Sequence, residues 1–458
     1  MTQWPSRAAS YSWSQCVTGS PADYSSRFDP EATTSRRRFV RTSIGLVAAS
    51  ASTIPRYAIR AQDNLQELSL LFGTSTVPGA NEFAVDLANR WGEQNSTLVN
   101  LEFAELVDLP ARADRIIRGG EQRDIVELQE LQPFRHSANL VDVSLIADAV
   151  IAEQGEYLPW AEQSVRVDGA WLSLPIGGVT SAITYRPSAL EAIGIDSFPA
   201  DWAGFLDLAT QLKSSGAAPA GLALRQTPVA APAFCYSYMW AHGGIEVDPA
   251  TRSVSFNTPE LNEALISFAS AWNSGFEATG TQWDDQAQFV AFTEGRISIA
   301  IGSPDMYLMV RAIGDNDVAV APMPPGPAGQ FVPLGSRSLG IPTRSPNPDL
   351  ALNFLSWWTA QAQYSQWIVG QRGVIAPANE PLMELPTYSQ DTNLRPFVDA
   401  LEIGRIKGYS ASPSRASAEV TANYFVVNTF ADIARGDDVA TALDRGQRLM
   451  ERFYTKTR

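Results

Sequence analysis

Between residues 67 and 128 the hydrophobic pattern switches period four times, and this alternation constrains the fold more than any other feature of the chain. Glu67-Leu68-Ser69-Leu70-Leu71-Phe72 is a short, mostly apolar run stopped by Gly73, as a buried strand would be. Pro78-Gly79 then opens a segment in which Phe83, Leu87 and Trp91 recur every four residues, the spacing of one helix face. Leu98-Val99-Asn100-Leu101-Glu102-Phe103 alternates at period two, as a strand does. Leu109, Ala113, Ile116 and Ile117 return to helical spacing before Gly119-Gly120, and Asp124-Ile125-Val126-Glu127-Leu128 is strand-like again. This order predicts a parallel sheet with crossover helices. Ligands of such sheets bind beyond the carboxyl ends of the strands, which puts Thr74 and Ser75, with Glu127, Gln129 and Glu130, at the rim of a site.

At 458 residues the chain exceeds what one hydrophobic core supports, so two packed lobes are expected. Further helical faces are Trp202, Phe205, Leu206, Ala209 and Leu212; Leu350, Phe354, Leu355 and Trp358; and Val420, Tyr424, Val427, Ala431 and Ala434. Val439, Leu443, Met450 and Phe453 form the last. Pro322-Met323-Pro324-Pro325-Gly326-Pro327 is a candidate connection between lobes. No repeat or low-complexity tract interrupts this pattern.

A formal charge of −15, with only Lys213, Lys407 and Lys456 as lysines, argues against a nucleic-acid partner, which needs clustered cations. Cys16 and Cys235 offer no intrachain disulfide framework or cysteine zinc site, and His136 and His242 are too few for a histidine metal site. Neither a metal nor a cofactor is expected. Cys235, between Phe234 and Tyr236, reads as a buried small hydrophobe.

Near the N-terminus, Ser35-Arg36-Arg37-Arg38-Phe39-Val40-Arg41 precedes the weakly apolar run Ile44 to Ala51 and Pro55, an order that resembles a twin-arginine export signal. The run is too short to span a bilayer. Cleavage near Ala61 would remove residues 1–61, with eight arginines and three acids, leaving a still more acidic remainder. No cysteine follows the run where a lipid anchor would need one, so a free periplasmic protein is expected.

The later segments carry a resemblance. Asp168-Gly169-Ala170-Trp171-Leu172-Ser173-Leu174-Pro175 is similar to a Gly-x-x-Tyr/Trp-x-x-Pro strand, and Ile193-Gly194-Ile195 with Pro199-Ala200-Asp201-Trp202-Ala203-Gly204-Phe205 to a Pro-x-Thr-Trp-x-Glu-Phe helix entry. Trp240-Ala241-His242-Gly243-Gly244 and Phe292-Thr293-Glu294-Gly295 through Gly302 follow in order, then Pro322 to Pro327, Gly335 to Ile341 and Gly436-Asp437-Asp438. Together these resemble the family 1 extracellular solute-binding proteins, the group that includes maltose-binding proteins. The resemblance implies an α/β, two-lobed periplasmic-binding-protein fold (type II), each lobe a mainly parallel sheet flanked by helices, joined by hinge strands. It implies one lobe from 62–175 with 320–368 and another from 176–319 with 369–458. A sugar bound between the lobes would be delivered to the permease subunits of an ABC importer by a monomeric receptor. Gly204 stands where the family usually has Glu. Ser303-Pro304-Asp305-Met306 replaces a loop that often presents a stacking Trp, which implies a smaller or more polar solute.

Sugars need flat apolar faces and polar partners for their hydroxyls. The candidate contacts are Thr74, Ser75, Glu127, Gln129, Glu130, Tyr236, Trp240, Trp283, Asp284, Asp285, Ser303, Asp305, Ser336, Arg337 and Arg372, with Gln371 beside the last. Each has a structural alternative. Thr74 and Ser75 suit helix capping, Tyr236 and Trp240 suit a helix core, and the Trp283-Asp284-Asp285 triplet suits the entry of the helix through Phe289. Two competing classes remain: an exported carbohydrate-active enzyme using two of Asp284, Asp285 and Asp305, and a receptor of the same fold for a polyamine, glycerol phosphate or another polyol.

Overall fold

The computed structural model describes residues 66–384 and 391–455, so the expected export region, with Cys16, lies outside the described residues. The strands, in chain order, are β1 (Gln66–Gly73), β2 (Thr97–Ala104), β3 (Ile125–Gln129), a small hairpin of β4 (Arg166–Val167) and β5 (Ala170–Trp171), and β6 (Leu174–Val179). They continue as β7 (Ala182–Tyr185), β8 (Ile299–Gly302), β9 (Ala319–Ala321), β10 (Val332–Pro333), β11 (Gly335–Gly340) and β12 (Gly404–Arg405).

The alternating period of the first segments produces what it predicts. β1 lies between β2 and β3 and runs parallel to both, with Leu70 opposite Leu101 and Ile125. The crossover helices Ala80–Gln94 and Leu109–Ile117 bury Leu87 and Trp91, and Leu109, Ala113, Ile116 and Ile117. β11 and β6 then extend the sheet antiparallel, in the order β2-β1-β3-β11-β6. The second sheet is smaller and departs from the parallel expectation: β7 is antiparallel to both β8 and β9. The chain enters it at β7, and its parallel component among the described residues is confined to isolated bridges from Ala220 to Phe276 and Ile299.

Each sheet carries its own core. Phe72, Trp91, Phe354, Trp358 and Trp367 pack on the first; Trp202, Phe205, Phe234, Tyr238, Phe268 and Phe430 pack in the second lobe. Trp202 stands edge-on to Phe205, Phe234 and Tyr238 with ring centroids 5.3–5.5 Å apart. Its helix, Trp202–Ser214, begins where Asp201 accepts the Gly204 amide, the role of an N-cap acid. Cys235 is buried within this core, as its apolar flanks predict.

The chain passes between lobes at places that differ from the expected boundaries. β6 remains in the first sheet to Val179, so the first crossing is Thr180-Ser181, where the Thr180 hydroxyl donates to the Phe397 carbonyl at 2.7 Å. A Cβ on Gly177 would meet Ile375 at 2.3 Å and one on Gly178 would meet Trp160 at 2.6 Å, so close packing explains both glycines. The Pro322–Pro327 segment packs on the second lobe, with Pro325 accepting the Trp202 amide, and the crossing follows at β10. Residues 369–382 stay with the first lobe, since Ile375, Ala378 and Leu382 pack in its core. Residues 391–400 already pack on the second lobe, where Leu394 and Phe397 join Trp283 and Met306 and the Tyr307 hydroxyl donates to Asp391, and β12 then pairs parallel with β10.

The terminal helical pattern is also divided. Helices Arg415–Ala422 and Phe425–Ala434 are separated by Tyr424, whose φ of 54° is left-handed and turns the chain between them.

Candidate functional site

Three cavities share walls and form one groove between the two sheets. A cavity of about 410 Å³ and one of about 240 Å³ are joined by a narrower passage of about 80 Å³. Thr74–Thr76, Pro228, Val229, Ser303 and Asp305 border the passage and the larger cavity; Gln129, Glu130, Pro232 and Lys407 border the passage and the smaller one.

The first-lobe wall is made by strand ends, as the topology requires. Beyond β1, Thr74 donates its amide to the Ala104 carbonyl at 2.8 Å, and the Ser75 amide is taken by Asn81 Oδ1 at 2.9 Å. The Ser75 hydroxyl reaches Gln371 Oε1 at 3.0 Å. Beyond β3, Glu130 adopts φ 53°, and its amide donates to the Ser336 carbonyl on β11 at 2.8 Å. This bend turns its side chain away from the strand axis toward Lys407, whose ammonium bonds the Glu130 carboxylate. Arg337 bonds Glu127 at 2.6 Å, while the other Glu127 oxygen accepts the Gly73 amide at 2.9 Å. Ser336 and Arg337 border the passage.

The second-lobe wall is made by helix starts. Helices Ala230–Ala241, Asp285–Thr293 and Pro304–Ala312 all begin there. Asp284 caps the second of these through the Ala287 amide at 2.9 Å, and Asp285 accepts the Ala230 amide of the first at 2.8 Å. Asp305 accepts the Ser303 hydroxyl and the Met306 amide in the first turn of the third. Positive helix ends thus hold three carboxylates at the groove. Burial raises the Asp285 carboxyl to about 6, the Ala230 amide opposes that rise, and Asp305 adds to it. Glu105, Asp284, Asp285 and Asp305 border the larger cavity and, among the described residues, no Lys, Arg or His does, though Arg225 lies 3.7 Å from Asp284.

The structure brings together Thr74, Ser75, Gln129, Glu130, Tyr236, Asp284, Asp285, Ser303, Asp305, Ser336 and Arg337 around the groove. Four sequence-predicted contacts stand elsewhere. Glu127 is fully buried at the foot of Arg337, a strut rather than a wall. Trp240 is 2 % exposed and packs between Tyr236 and Tyr409. Trp283 packs with Phe292, Ile297 and Met306 under the Arg296 guanidinium. Arg372 is exposed at φ 48° and borders none of the groove cavities. In each aromatic case the four-residue helix spacing or the adjoining helix entry was the better guide.

Lys407, Tyr424, Phe289 and the Pro228-Val229 corner were missed. Lys407 had a signal, being one of three lysines in an arginine-rich chain and flanked by Ile406 and Gly408. Tyr424 had none, because its position follows from a left-handed backbone.

Comparison with known proteins bears on this groove. Residues 122–396, more than half of the chain, match the family model described as bacterial extracellular solute-binding protein. No curated protein sequence matches significantly. Among solved structures, the GacH receptor of Streptomyces glaucescens, determined unliganded and with acarbose, is 17% identical with a TM-score of 0.71, covering 86% of this chain and 99% of that one. A sugar transporter from Arthrobacter chlorophenolicus with bound laminaribiose has 14% identity and a TM-score of 0.73, covering 85% and 99%. An ABC transporter solute-binding protein from Agrobacterium radiobacter in complex with ribitol has 16% identity and a TM-score of 0.69, covering 84% and 98%. These likenesses are to the two-lobed periplasmic-binding-protein fold, and the match over 122–396 supplies the rest: the chain belongs to the bacterial extracellular solute-binding protein family.

Proposed function

We propose that the chain is the receptor of an ABC importer, capturing a neutral sugar or polyol in the groove and handing it to the permease. The observation that carries this reading is a groove faced from both lobes by hydroxyl partners: Thr74, Ser75, Gln129 and Glu130 on one side, Asp284, Asp285, Ser303 and Asp305 on the other. Carboxylates at helix N-termini are acceptors whose charge is offset locally, which suits hydroxyl donors. The larger cavity, bordered by four acids and among the described residues by no Lys, Arg or His, opposes glycerol phosphate or another anion at that end of the groove. Tyr236, Tyr424 and Phe289 supply the apolar faces that the two tryptophans do not. Three relatives of the same fold were solved with acarbose, laminaribiose and ribitol, which supports a hydroxyl-rich solute.

The enzyme reading is weaker. Asp284, Asp285 and Asp305 are each engaged by helix-start amides, and the family whose model the chain matches is one of solute-binding proteins. In this proposal the receptor is monomeric, periplasmic and not lipid-anchored, and residues 1–61 direct it through the twin-arginine route. Its lobes comprise residues 62–179 with 335–383 and residues 182–331 with most of the remainder.

A thermal-shift panel of maltose, laminaribiose, tagatose, ribitol, spermidine and glycerol 3-phosphate tests the reading. A neutral member at a hundredfold excess over its Kd should stabilise by about 2.7 kcal/mol. A response to spermidine alone would select the polyamine alternative, and turnover of any glycan would replace the receptor by an enzyme.

A further inference from the structure

One helix end carries an aromatic side chain where the rest of the chain uses glycine. Tyr424 follows helix Arg415–Ala422 and its cap Asn423 at φ 54° and ψ 34°, and its amide donates to the Thr421 carbonyl at 3.0 Å. This is the position after a helix C-cap, where a left-handed residue without a Cβ is favoured. Elsewhere in the second lobe Gly216, Gly243, Gly295 and Gly436 occupy it, at φ between 71° and 106°, each bonded to the carbonyl three residues back. Ser96 and Arg372 follow two further helices at positive φ, and both are exposed polar residues. Tyr424 instead packs against the second-lobe core and borders the smaller groove cavity. Its carbonyl accepts the Asn428 amide at 2.8 Å as the next helix begins, so its backbone is fixed from both sides. A bulky side chain in this conformation costs stability that glycine would not, and such costs gather at ligand sites.

The same cavity is bordered from the first lobe by Glu130, at φ 53°. Of the six non-glycine residues with positive φ among the described residues, only Glu130 and Tyr424 border a groove cavity, and they share one. The other aromatic border of that cavity is Tyr236, whose ring already has the Lys407 ammonium 5.6 Å from its centre and Trp240 tilted against it at 5.2 Å. Among the described residues no ring or cation stacks on Tyr424 in this way.

We propose that Tyr424 makes the groove select a cyclic solute over an open-chain one. This rests on the reading of the groove as a solute site. A sugar ring presents a flat C–H face that a phenol ring can cover, while its hydroxyls reach Gln129 and Glu130 across the cavity. An open-chain polyol has no such face and must freeze several more bonds to present one. The backbone bonds that hold Tyr424 between two helices also hold its ring in place, so little freedom is lost when a solute meets it. Backbone preference and solute recognition conflict at this one residue, and tyrosine serves the second.

The test measures the affinities of maltose, laminaribiose, tagatose and ribitol by calorimetry on the full chain and on its Tyr424→Gly and Tyr424→Phe variants, with the urea midpoint of each protein. The parent is expected to prefer a cyclic member over ribitol. Tyr424→Gly should weaken that member by about ten- to a hundredfold and narrow the preference, and Tyr424→Phe, which keeps the ring, should restore most of both. The Tyr424→Gly midpoint is expected at or above that of the parent, because glycine fits the left-handed position. Parental affinity in Tyr424→Gly overturns the proposal. So does a Tyr424→Gly midpoint well below the parent's, which would make the ring a core residue. A parent that takes ribitol alone overturns the proposal and leaves the receptor standing. A parent that binds none of the four removes the receptor reading, and the proposal with it.

Discussion

The two walls of the groove solve the same problem differently. At the first-lobe wall, acids meet cations: Glu127 is tied to Arg337 within the sheet, and Glu130 to Lys407 after β12, with all four side chains at most 20 % exposed. On the second lobe, acids chiefly meet backbone: Asp284, Asp285 and Asp305 take amides at the starts of three helices, with Arg225 a longer 3.7 Å from Asp284. An ion pair between rigid strands uses both partners on each other and fixes geometry. A carboxylate on a helix amide keeps further acceptor capacity for a solute. The contrast gives the first wall the greater rigidity and the second the greater free acceptor capacity, and mutations should separate the two.

The largest effect is expected on the first wall. Arg337→Met leaves Glu127 as an uncompensated buried charge and should destabilise by about 3–5 kcal/mol. The double variant Glu127→Gln, Arg337→Met should recover much of that loss in urea unfolding. A double variant as unstable as the single one would mean that the pair is not what holds this wall.

Next comes pH. Glu246 is raised to about 7 from an ordinary 4.5, and Asp285 to about 6 from 3.8, both chiefly by burial. A carboxyl raised in the folded state binds protons that the unfolded chain has already released. Stability is therefore greatest at low pH within this window and declines as pH rises toward the folded values. Between about pH 5 and about pH 8 the decline from Glu246 should be on the order of 2–3 kcal/mol. Denaturant midpoints of the parent and Glu246→Gln, compared across that range, check it; parallel pH profiles would remove Glu246 as the source.

The second wall gives smaller but more selective effects. Asp285→Asn should weaken binding of the solute found in the thermal-shift panel by about 1.5–3 kcal/mol, roughly ten- to a hundredfold, by calorimetry. Asp284→Ala should lose about 1 kcal/mol of stability with its helix cap. Equal affinity losses in Asp285→Asn and Arg337→Met would dissolve the proposed division of roles.

Much of this arrangement was legible in the sequence where local pattern and tertiary role coincide. The period switches from Glu67 to Leu128 gave three parallel strands, and the ends of those strands gave Thr74, Ser75, Gln129 and Glu130. The aromatic contacts were less legible. Trp240 and Trp283 carry the same side chain whether it stacks on a sugar or fills a core, and only three-dimensional packing distinguishes the outcomes. Tyr424 reached the groove by a backbone conformation that helical spacing does not encode. The parallel second sheet was implied by the family resemblance alone, and the three- and four-residue strands that form it, far apart in sequence, left no local pattern to correct that expectation.

The central claim is that two opposed walls close on a solute. Inter-label distance between Leu145→Cys and Ile313→Cys, measured with and without a saturating solute at one pH, tests it most directly. The account predicts that solute shifts the population toward the shorter distance, since binding from both sides favours the form in which the walls meet. An unchanged distance distribution, with tight binding confirmed by calorimetry on the same labelled protein, would contradict it.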